Sequence, residues 1–370
     1  MSFLYELPPV RRFRLLFTRR RAFFRLGGGV YEALRFLGYR DTREELLLAR
    51  REGVQGPESL CVIERLHRPG DSRLRQVLAW ELAQALHLRH PGLLRLRRIA
   101  AHGEGLYAVH EYLGGWPLDA VLRLSPLVEH RALPVGAACQ VAAEVAEALH
   151  CLHTRADARG RPWNLAHRDV SPSFIWLSPD GRVKLTGFGT WASRQVARVT
   201  FRRAWRELFR DCLHRVPRWE VPRSPHGRED LHSLGVVLLE MLRGRPLWDA
   251  LSPEGWKWGL SLEEVHGSLR WLQLPHGLRE LLLDALGCGP SERPMTAAGF
   301  RDALRQYACG QSGLARALLE LEAEASSRLV PWDVPRAVLD APGEVSPPSP
   351  WGRIFDLGKV VRFDGKPDLR

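Results

Sequence analysis

From position 167 the chain reads His167-Arg168-Asp169-Val170-Ser171-Pro172-Ser173-Phe174, and from position 183 it reads Val183-Lys184-Leu185-Thr186-Gly187-Phe188-Gly189. This stretch decides the fold. Its first part groups an imidazole, a guanidinium and a carboxylate, and its second part ends with a phenylalanine between two glycines. Phe174 and Gly187 have no side-chain oxygen or nitrogen that could bind a metal ion. Residue types used in catalysis therefore stand beside two positions that lack polar side chains.

The stretch resembles the catalytic loop and the magnesium loop of protein kinases, H-R-D-x-x-x-x-N followed by D-F-G. In that pattern the Asn and the second Asp hold the magnesium ions that bridge the ATP phosphates. Phe174 and Gly187 occupy these two positions here. Asp169 matches the catalytic base, and we expect it to be silent because no phosphate is positioned for it. The resemblance implies a kinase fold that has lost its metal site.

Other landmarks of the family follow in the expected order between about residues 30 and 308. Asp230 resembles the buried aspartate that supports the catalytic loop from a central helix. His167, Phe188 and Ala85 match the apolar stack that joins the two lobes, and we expect Arg168 to belong to a buried hydrogen-bonded network that holds the loop. These residues are predicted to have structural roles.

The sequence Pro290-Ser291-Glu292-Arg293-Pro294 resembles the arginine motif of the large lobe. In the family this arginine pairs with a glutamate that closes the activation segment. Glu220 is the candidate partner of Arg293, although its surroundings match the A-P-E pattern poorly.

The position of the phosphate-binding lysine is occupied by an acidic residue. Glu81 fits the helix glutamate that pairs with this lysine, but the strand reads Val62-Ile63-Glu64-Arg65-Leu66. Arg65 cannot replace the lysine because neighbouring strand residues point to opposite faces of the sheet. Glu64 and Glu81 are therefore expected to face each other, and two like charges about 4 Å apart cost on the order of 4 kcal/mol at an effective dielectric of about 20.

The loop expected to cover ATP, residues 37–45, contains one glycine, Gly38, and its bulkier residues should prevent close backbone approach to phosphate. His110 lies near the position that controls the depth of the adenine pocket, and Glu111 to Leu113 supply the interlobe hinge. The residues of this vestigial nucleotide pocket are Gly38, Glu64, Glu81, His110, Glu111, Leu113, Phe174 and Gly187. No cofactor is expected, except that ATP could bind weakly at the hinge without magnesium.

The composition suits a large soluble body with acidic partners. The 370 residues are 45% apolar, and the formal net charge is +12. The six cysteines form no C-x-x-C pair and the fourteen histidines show no metal-ligand spacing, so we expect reduced thiols, no metal and a cytoplasmic location. No run approaches the roughly 18 uninterrupted apolar residues of a membrane-spanning helix.

The predicted fold is α+β and two-lobed, with a small antiparallel sheet that carries one main helix and a larger, mainly helical lobe. Apolar periodicity predicts a hairpin of residues 46–49 and 60–63, and a strand over 106–112. Helices are predicted at 72–88, 135–153, 231–242, from 294 to about 307, and at 314–325. The expected divisions are a basic N-terminal extension (1–28), an N-lobe (29–113), a C-lobe (114–308), and a C-terminal helix with a Pro-rich tail (309–370).

The resemblance implies a catalytically inactive kinase-like domain, a pseudokinase, most similar in its motifs to bacterial Ser/Thr kinases. It would scaffold or allosterically regulate an active kinase or another signalling protein. The expected contact surfaces are residues 194–223, the Arg-rich N-terminus and the Pro-rich tail.

Two other functions are open. One is a residual or unconventional ATP-dependent Ser/Thr kinase that uses Asp169, with charge supplied by Arg182, Lys184 or Arg194. The other is an adaptor whose Arg-rich residues 1–26 contact an anionic membrane surface or nucleic acid, although no motif for specific nucleic-acid binding is present.

Overall fold

The computed structural model describes residues 22–39, 45–102, 105–124, 133–163, 165–193, 227–244, 267, 269–287 and 295–328. These residues form the predicted α+β arrangement, with an antiparallel sheet and one long helix in the N-terminal lobe and a mainly helical C-terminal lobe. The expected contact segment 194–223, the Pro-rich tail and all but the end of the Arg-rich N-terminus lie outside the described residues.

The N-terminal lobe is built on a six-stranded antiparallel sheet in the order β1-β2-β3-β4-β6-β5. Its strands are β1 (Ala22–Leu26), β2 (Gly29–Tyr39), β3 (Glu45–Arg51), β4 (Leu60–Leu66), β5 (Leu96–His102) and β6 (Gly105–Glu111). The predicted hairpin is confirmed, since Leu47 pairs with Ile63 across β3 and β4. Strand β1 lies inside the segment expected to be an extension, so the sheet begins before residue 29.

Helix α1 (Ser72–His87) confirms the helix predicted over 72–88. It begins after Asp71, whose carboxylate accepts a hydrogen bond from the backbone N–H of Leu74 at 2.9 Å and so caps the helix. Its buried residues Leu78, Leu82 and Ala85 pack on the face of the sheet that carries Leu66, Leu96 and Ala108. Glu81, on the same helix, is also buried.

The C-terminal lobe surrounds one buried helix, α3 (Val135–His153), whose bounds match the prediction. Among the described residues, α3 alone is long and apolar enough to cross a membrane by length and composition, and most of it is buried inside this lobe. The other helices are α2 (Leu118–Leu124), α4 (Arg228–Arg243), α5 (His276–Ala285), α6 (Ala297–Arg305) and α7 (Gly310–Arg328). A small sheet joins β7 (Trp116–Pro117), β8 (Ile175–Leu177) and β9 (Val183–Leu185).

Helix α7 closes one side of this lobe. The Gly310 N–H donates to the Gln140 side chain at 3.0 Å, and the Gln311 amide donates to the carbonyl of Asp180 at 2.9 Å. Leu314 and Leu318 are buried in the common core with α3. Helix α7 is therefore an integral part of the lobe, and it begins four residues earlier than the helix predicted over 314–325.

Candidate functional site

Asp230 in α4 fixes the backbone of the loop 165–171. Its carboxylate accepts hydrogen bonds from the N–H groups of His167 at 2.8 Å and Arg168 at 2.7 Å, and from the ring of His153 at 2.9 Å. Complete burial opposes ionisation of Asp230, but the bonds from His153 and His167 outweigh it, and the pKa of this carboxyl lies below its usual value. Asp169, which follows directly, is buried. The hydrogen bonds to Asp230 thus fix the conformation of this loop.

Arg168 links this loop to the N-terminal lobe. Its backbone has a φ of 65°, in the left-handed region that non-glycine residues seldom adopt. Its guanidinium lies 3.1 Å from the carboxylate of Glu81 and stacks over the ring of Trp191, with 5.0 Å between Cζ and the ring centroid. The charge of Glu81 on α1 is therefore neutralised by Arg168, whose side chain is about a third exposed.

Glu64 has a different partner. It is fully buried on β4, and its Oε2 lies 2.9 Å from Nε2 of His110 on the neighbouring strand β6. Arg65 points to the other face and is exposed. Each carboxylate has its own partner, His110 for Glu64 and Arg168 for Glu81. The guanidinium of Arg168 therefore compensates the charge of Glu81, whereas Glu64 forms a hydrogen bond with an imidazole.

Phe174 and Gly187 lie close to each other, because the residue before Gly187 is hydrogen-bonded to the backbone of Phe174. Phe174 is buried and meets the ring of His167 edge to face, with 6.0 Å between centroids. The Thr186 N–H donates to the Phe174 carbonyl, and His167 Nε2 donates to the Thr186 carbonyl, both at 2.7 Å. Gly187 adopts a φ of 80°. A magnesium ion requires oxygen ligands, and these two positions supply an aromatic ring and a hydrogen atom, so the residues do not fit the ions that the fold implies.

Phe188 packs against both the core of the C-terminal lobe and the cluster formed by α1 and the sheet. Gly189, with a φ of 86°, allows α1 to approach closely, because a Cβ at this position would lie 2.8 Å from Cβ of Ala85 and 3.1 Å from the carbonyl oxygen of Glu81. Phe188 therefore reaches the cluster that contains Ala85, and a stack that includes His167 stays a prediction.

The segment that follows Gly189 packs against the N-terminal lobe, and sequence reasoning missed this arrangement. Residues 191–193 form a helical turn. Ala192 is completely buried in the α1 cluster, and its N–H donates to Glu81 at 3.4 Å. The hydroxyl of Ser193 accepts a hydrogen bond of 2.7 Å from the N–H of His67 at the end of β4. The turn therefore fills the space between β4 and α1.

The hinge is also held by an ion pair. Lys184 on β9 donates to the carboxylate of Glu111, which also accepts a hydrogen bond of 3.1 Å from the N–H of Arg95. Leu113 is buried. Gly38 pairs with Leu46 across β2 and β3, beside a register irregularity. Residues 40–44 of the covering loop, together with Arg293 and Glu220, lie outside the described residues.

A family model for the protein kinase domain matches residues 61–298. Tyrosine-protein kinase MasK of Myxococcus xanthus is 29% identical over 273 residues, which make up 71% of this chain and 41% of that protein. CBL-interacting protein kinase 4 of Oryza sativa is 32% identical over 229 residues, 60% of this chain and 46% of that protein. The matched regions thus span less than half of either relative.

Solved structures show the same fold. The kinase domain of PknI from M. tuberculosis superposes with a TM-score of 0.54 at 22% identity, covering 76% of this chain and 96% of that domain.

Proposed function

This chain belongs to the protein kinase family, and we propose that it is a pseudokinase, which binds a signalling protein such as an active kinase and acts as its scaffold or allosteric regulator. One observation carries the proposal. Glu81 is bound by Arg168 of the catalytic-type loop, whereas the strand position that would offer it a lysine holds Glu64, paired with His110. The cation that would grip the ATP phosphates is replaced by a carboxylate.

Phosphoryl transfer depends on positioning the phosphates and neutralising their charge. Phe174 and Gly187 contribute no ligand for a metal ion, and Glu64 adds negative charge beside the place of the triphosphate. Asp169 alone cannot replace these functions, because a base accelerates transfer only when the phosphate is held in line with the attacking hydroxyl. One such change could be compensated by a neighbouring residue. The two metal-ligand positions and the lysine position are all changed here, which argues against phosphoryl transfer.

Side-chain contacts also connect the two lobes directly. Arg168 joins the loop to α1, Ser193 joins the following segment to β4, and Lys184 joins β9 to the hinge. A domain with these internal contacts presents one stable surface to a partner whether or not ATP is present. This property suits a protein whose function is binding.

The test is thermal unfolding with and without about 5 mM ATP, each in magnesium or EDTA, because a ligand that binds the folded state must raise the midpoint. A ligand at about 100 times its Kd would stabilise by about 2.7 kcal/mol, which raises the midpoint by roughly 4 °C for a domain of this size. We expect no magnesium-dependent shift. A shift that requires magnesium would overturn the proposal.

A residual kinase activity is the second candidate, and the retained Asp169 favours it, since this residue is buried in a loop that Asp230 holds in order. Transfer of labelled phosphate from ATP to a generic substrate protein would support it, provided that the signal disappears in Asp169→Asn. Asp302→Asn is a matched control, because it makes the same Asp-to-Asn change at an exposed residue of α6 that pairs with Arg301.

A further inference from the structure

A compact hairpin separates α3 from the loop that carries Asp169. Residues 154–163 fold back on themselves, with the Asp157 N–H donating to the Arg161 carbonyl at 3.0 Å and the Trp163 N–H donating to the Arg155 carbonyl at 2.8 Å. Ala156 and Pro162 form a bridge between its two arms. The hairpin thus has a defined backbone and ends immediately before the catalytic-type loop.

Asp157 organises this hairpin from within. Its carboxylate accepts hydrogen bonds from the N–H groups of Arg159 at 2.8 Å and Arg161 at 2.9 Å, and from Nε of Arg161 at 2.7 Å. The backbone bond from Arg161 is the main reason why the pKa of Asp157 lies below its usual value. Three donors from two residues therefore fix the tip, which reduces the entropy lost when another molecule binds there.

The hairpin presents arginines to solvent. Arg155 lies over the face of Trp163, 5.6 Å from its centroid, and Trp163 packs on the core of the lobe. Arg159 is exposed, and its guanidinium has no hydrogen-bond or ion-pair partner among the residues that the structure describes. One arginine is thus held in place, and its neighbour is available for an external anion.

The start of α4 adjoins this surface. Gly227 approaches the ring of His153, since a Cβ on Gly227 would lie 2.1 Å from that ring, and His153 is two residues before Arg155. Arg228 is exposed beside Gly227, next to the exposed Glu229. The hairpin and residues 227–229 carry four arginines, Arg155, Arg159, Arg161 and Arg228, and two carboxylates, Asp157 and Glu229, so positive charge predominates on this surface.

We propose that the hairpin 154–163 and the start of α4 form a docking surface for an acidic segment of a partner protein. This inference rests on the proposed function for its premise that the chain acts by binding. Guanidinium groups match carboxylates in shape as well as charge, and they can donate two parallel hydrogen bonds. Arg155, Arg159 and Arg228 would make these contacts.

The exposed residues favour a peptide over other polyanions. Single-stranded nucleic acid binds through aromatic stacking platforms, and the one aromatic ring here, Trp163, is packed on the core and covered by Arg155. Insertion into a membrane surface requires large apolar side chains, and the exposed residues of this hairpin are Thr154, Arg155, Ala158, Arg159, Gly160, Arg161 and Pro162.

The experiment measures binding of fluorescein-labelled octaglutamate to the full chain by anisotropy, at about 50 and 150 mM NaCl to vary screening. The variant is Arg159→Glu, and the matched control is Arg316→Glu, which makes the same charge change at an exposed position on α7. We expect Arg159→Glu to weaken binding about 5- to 10-fold, in the range of a lost charge-assisted contact, and the control to weaken it less than about twofold.

Equal weakening by both variants would overturn the proposal, because it would show a general effect of net charge. So would binding of octauridylate or of phosphatidylserine vesicles that depends on Arg159 while octaglutamate binding does not. Far-ultraviolet circular dichroism and melting of each variant establish that it is folded. A magnesium-dependent ATP shift would overturn the pseudokinase proposal and leave the peptide measurement intact, so the two failures are distinguishable.

Discussion

Restoring the asparagine of the kinase pattern at Phe174 should destabilise this protein strongly. The ring of Phe174 is 2% exposed, and it packs in the core of the C-terminal lobe against His167. Truncating a buried phenylalanine typically costs about 3–5 kcal/mol. Asparagine refills part of the volume but brings an amide whose burial costs about 1–3 kcal/mol without good partners. We therefore expect Phe174→Asn to lower the free energy of unfolding by about 3–5 kcal/mol.

Urea unfolding followed by circular dichroism measures this loss. With a slope of about 2–3 kcal/mol per molar urea, the midpoint should fall by about 1–2.5 M. Phe174→Leu is the control, since an apolar replacement of similar volume should cost less than about 1.5 kcal/mol. A loss below about 1 kcal/mol in Phe174→Asn, together with magnesium binding, would refute the reasoning, because it would mean that the site accepts a polar side chain and retains the character of a metal site.

Three further outcomes are expected. Glu81→Gln and Arg168→Gln should each destabilise, and a double-mutant cycle should give a coupling of about 1–2 kcal/mol, reduced because the guanidinium is partly exposed. Gly189→Ala should cost about 2–3 kcal/mol and increase hydrogen exchange in α1, whereas Gly53→Ala, with positive φ but open space around it, should cost about 1 kcal/mol. The pKa of Asp230 is lowered in the folded state, so its ionisation stabilises the fold fully above about pH 4. This stabilisation is lost as the pH falls through the folded-state pKa. Asp230→Asn should therefore remove this part of the pH dependence of urea unfolding.

Much of the fold follows from local patterns in the sequence. Residues 72–88 have apolar side chains at helical spacing, and α3 shows the same period over its whole length, so both helices were predicted with nearly correct bounds. Strand β1 was missed because Phe23 and Phe24 stand in an Arg-rich stretch that was interpreted as an extension. The signal was present, since Gly27 and Gly28 form the two-residue turn that joins β1 to β2, both with positive φ.

The site was less accessible to prediction because its pairings are non-local. The sequence identifies Glu64 and Glu81 as carboxylates in the place of a Lys–Glu pair, but it does not specify which of several basic side chains each one meets. His110 is 46 positions from Glu64, and Arg168 is 87 positions from Glu81. Alternation along a strand determines the face on which a side chain lies, whereas its partner depends on how helix, sheet and loop pack together.

The turn of residues 191–193 had no recognisable signal. Its contacts combine a backbone N–H, a small apolar side chain and a hydroxyl, from Ala192 and Ser193, with groups on β4 and α1. Such small residues are common in loops, and nothing in their order distinguishes a packed turn from a solvent-exposed one.

Strand β1 and helix α7 determine which fragment of this protein can serve as bait. The family model covers residues 61–298, whereas the sheet begins at Ala22 and α7 runs to Arg328. A fragment cut at the family boundaries would lose strands β1, β2 and β3. It would also expose the apolar surface of the C-terminal lobe on which Leu314 and Leu318 pack. Newly exposed apolar surface binds proteins indiscriminately. Proteins captured by such a fragment would be bound to its exposed core. A fragment used to search for binding partners should therefore include at least residues 22–328.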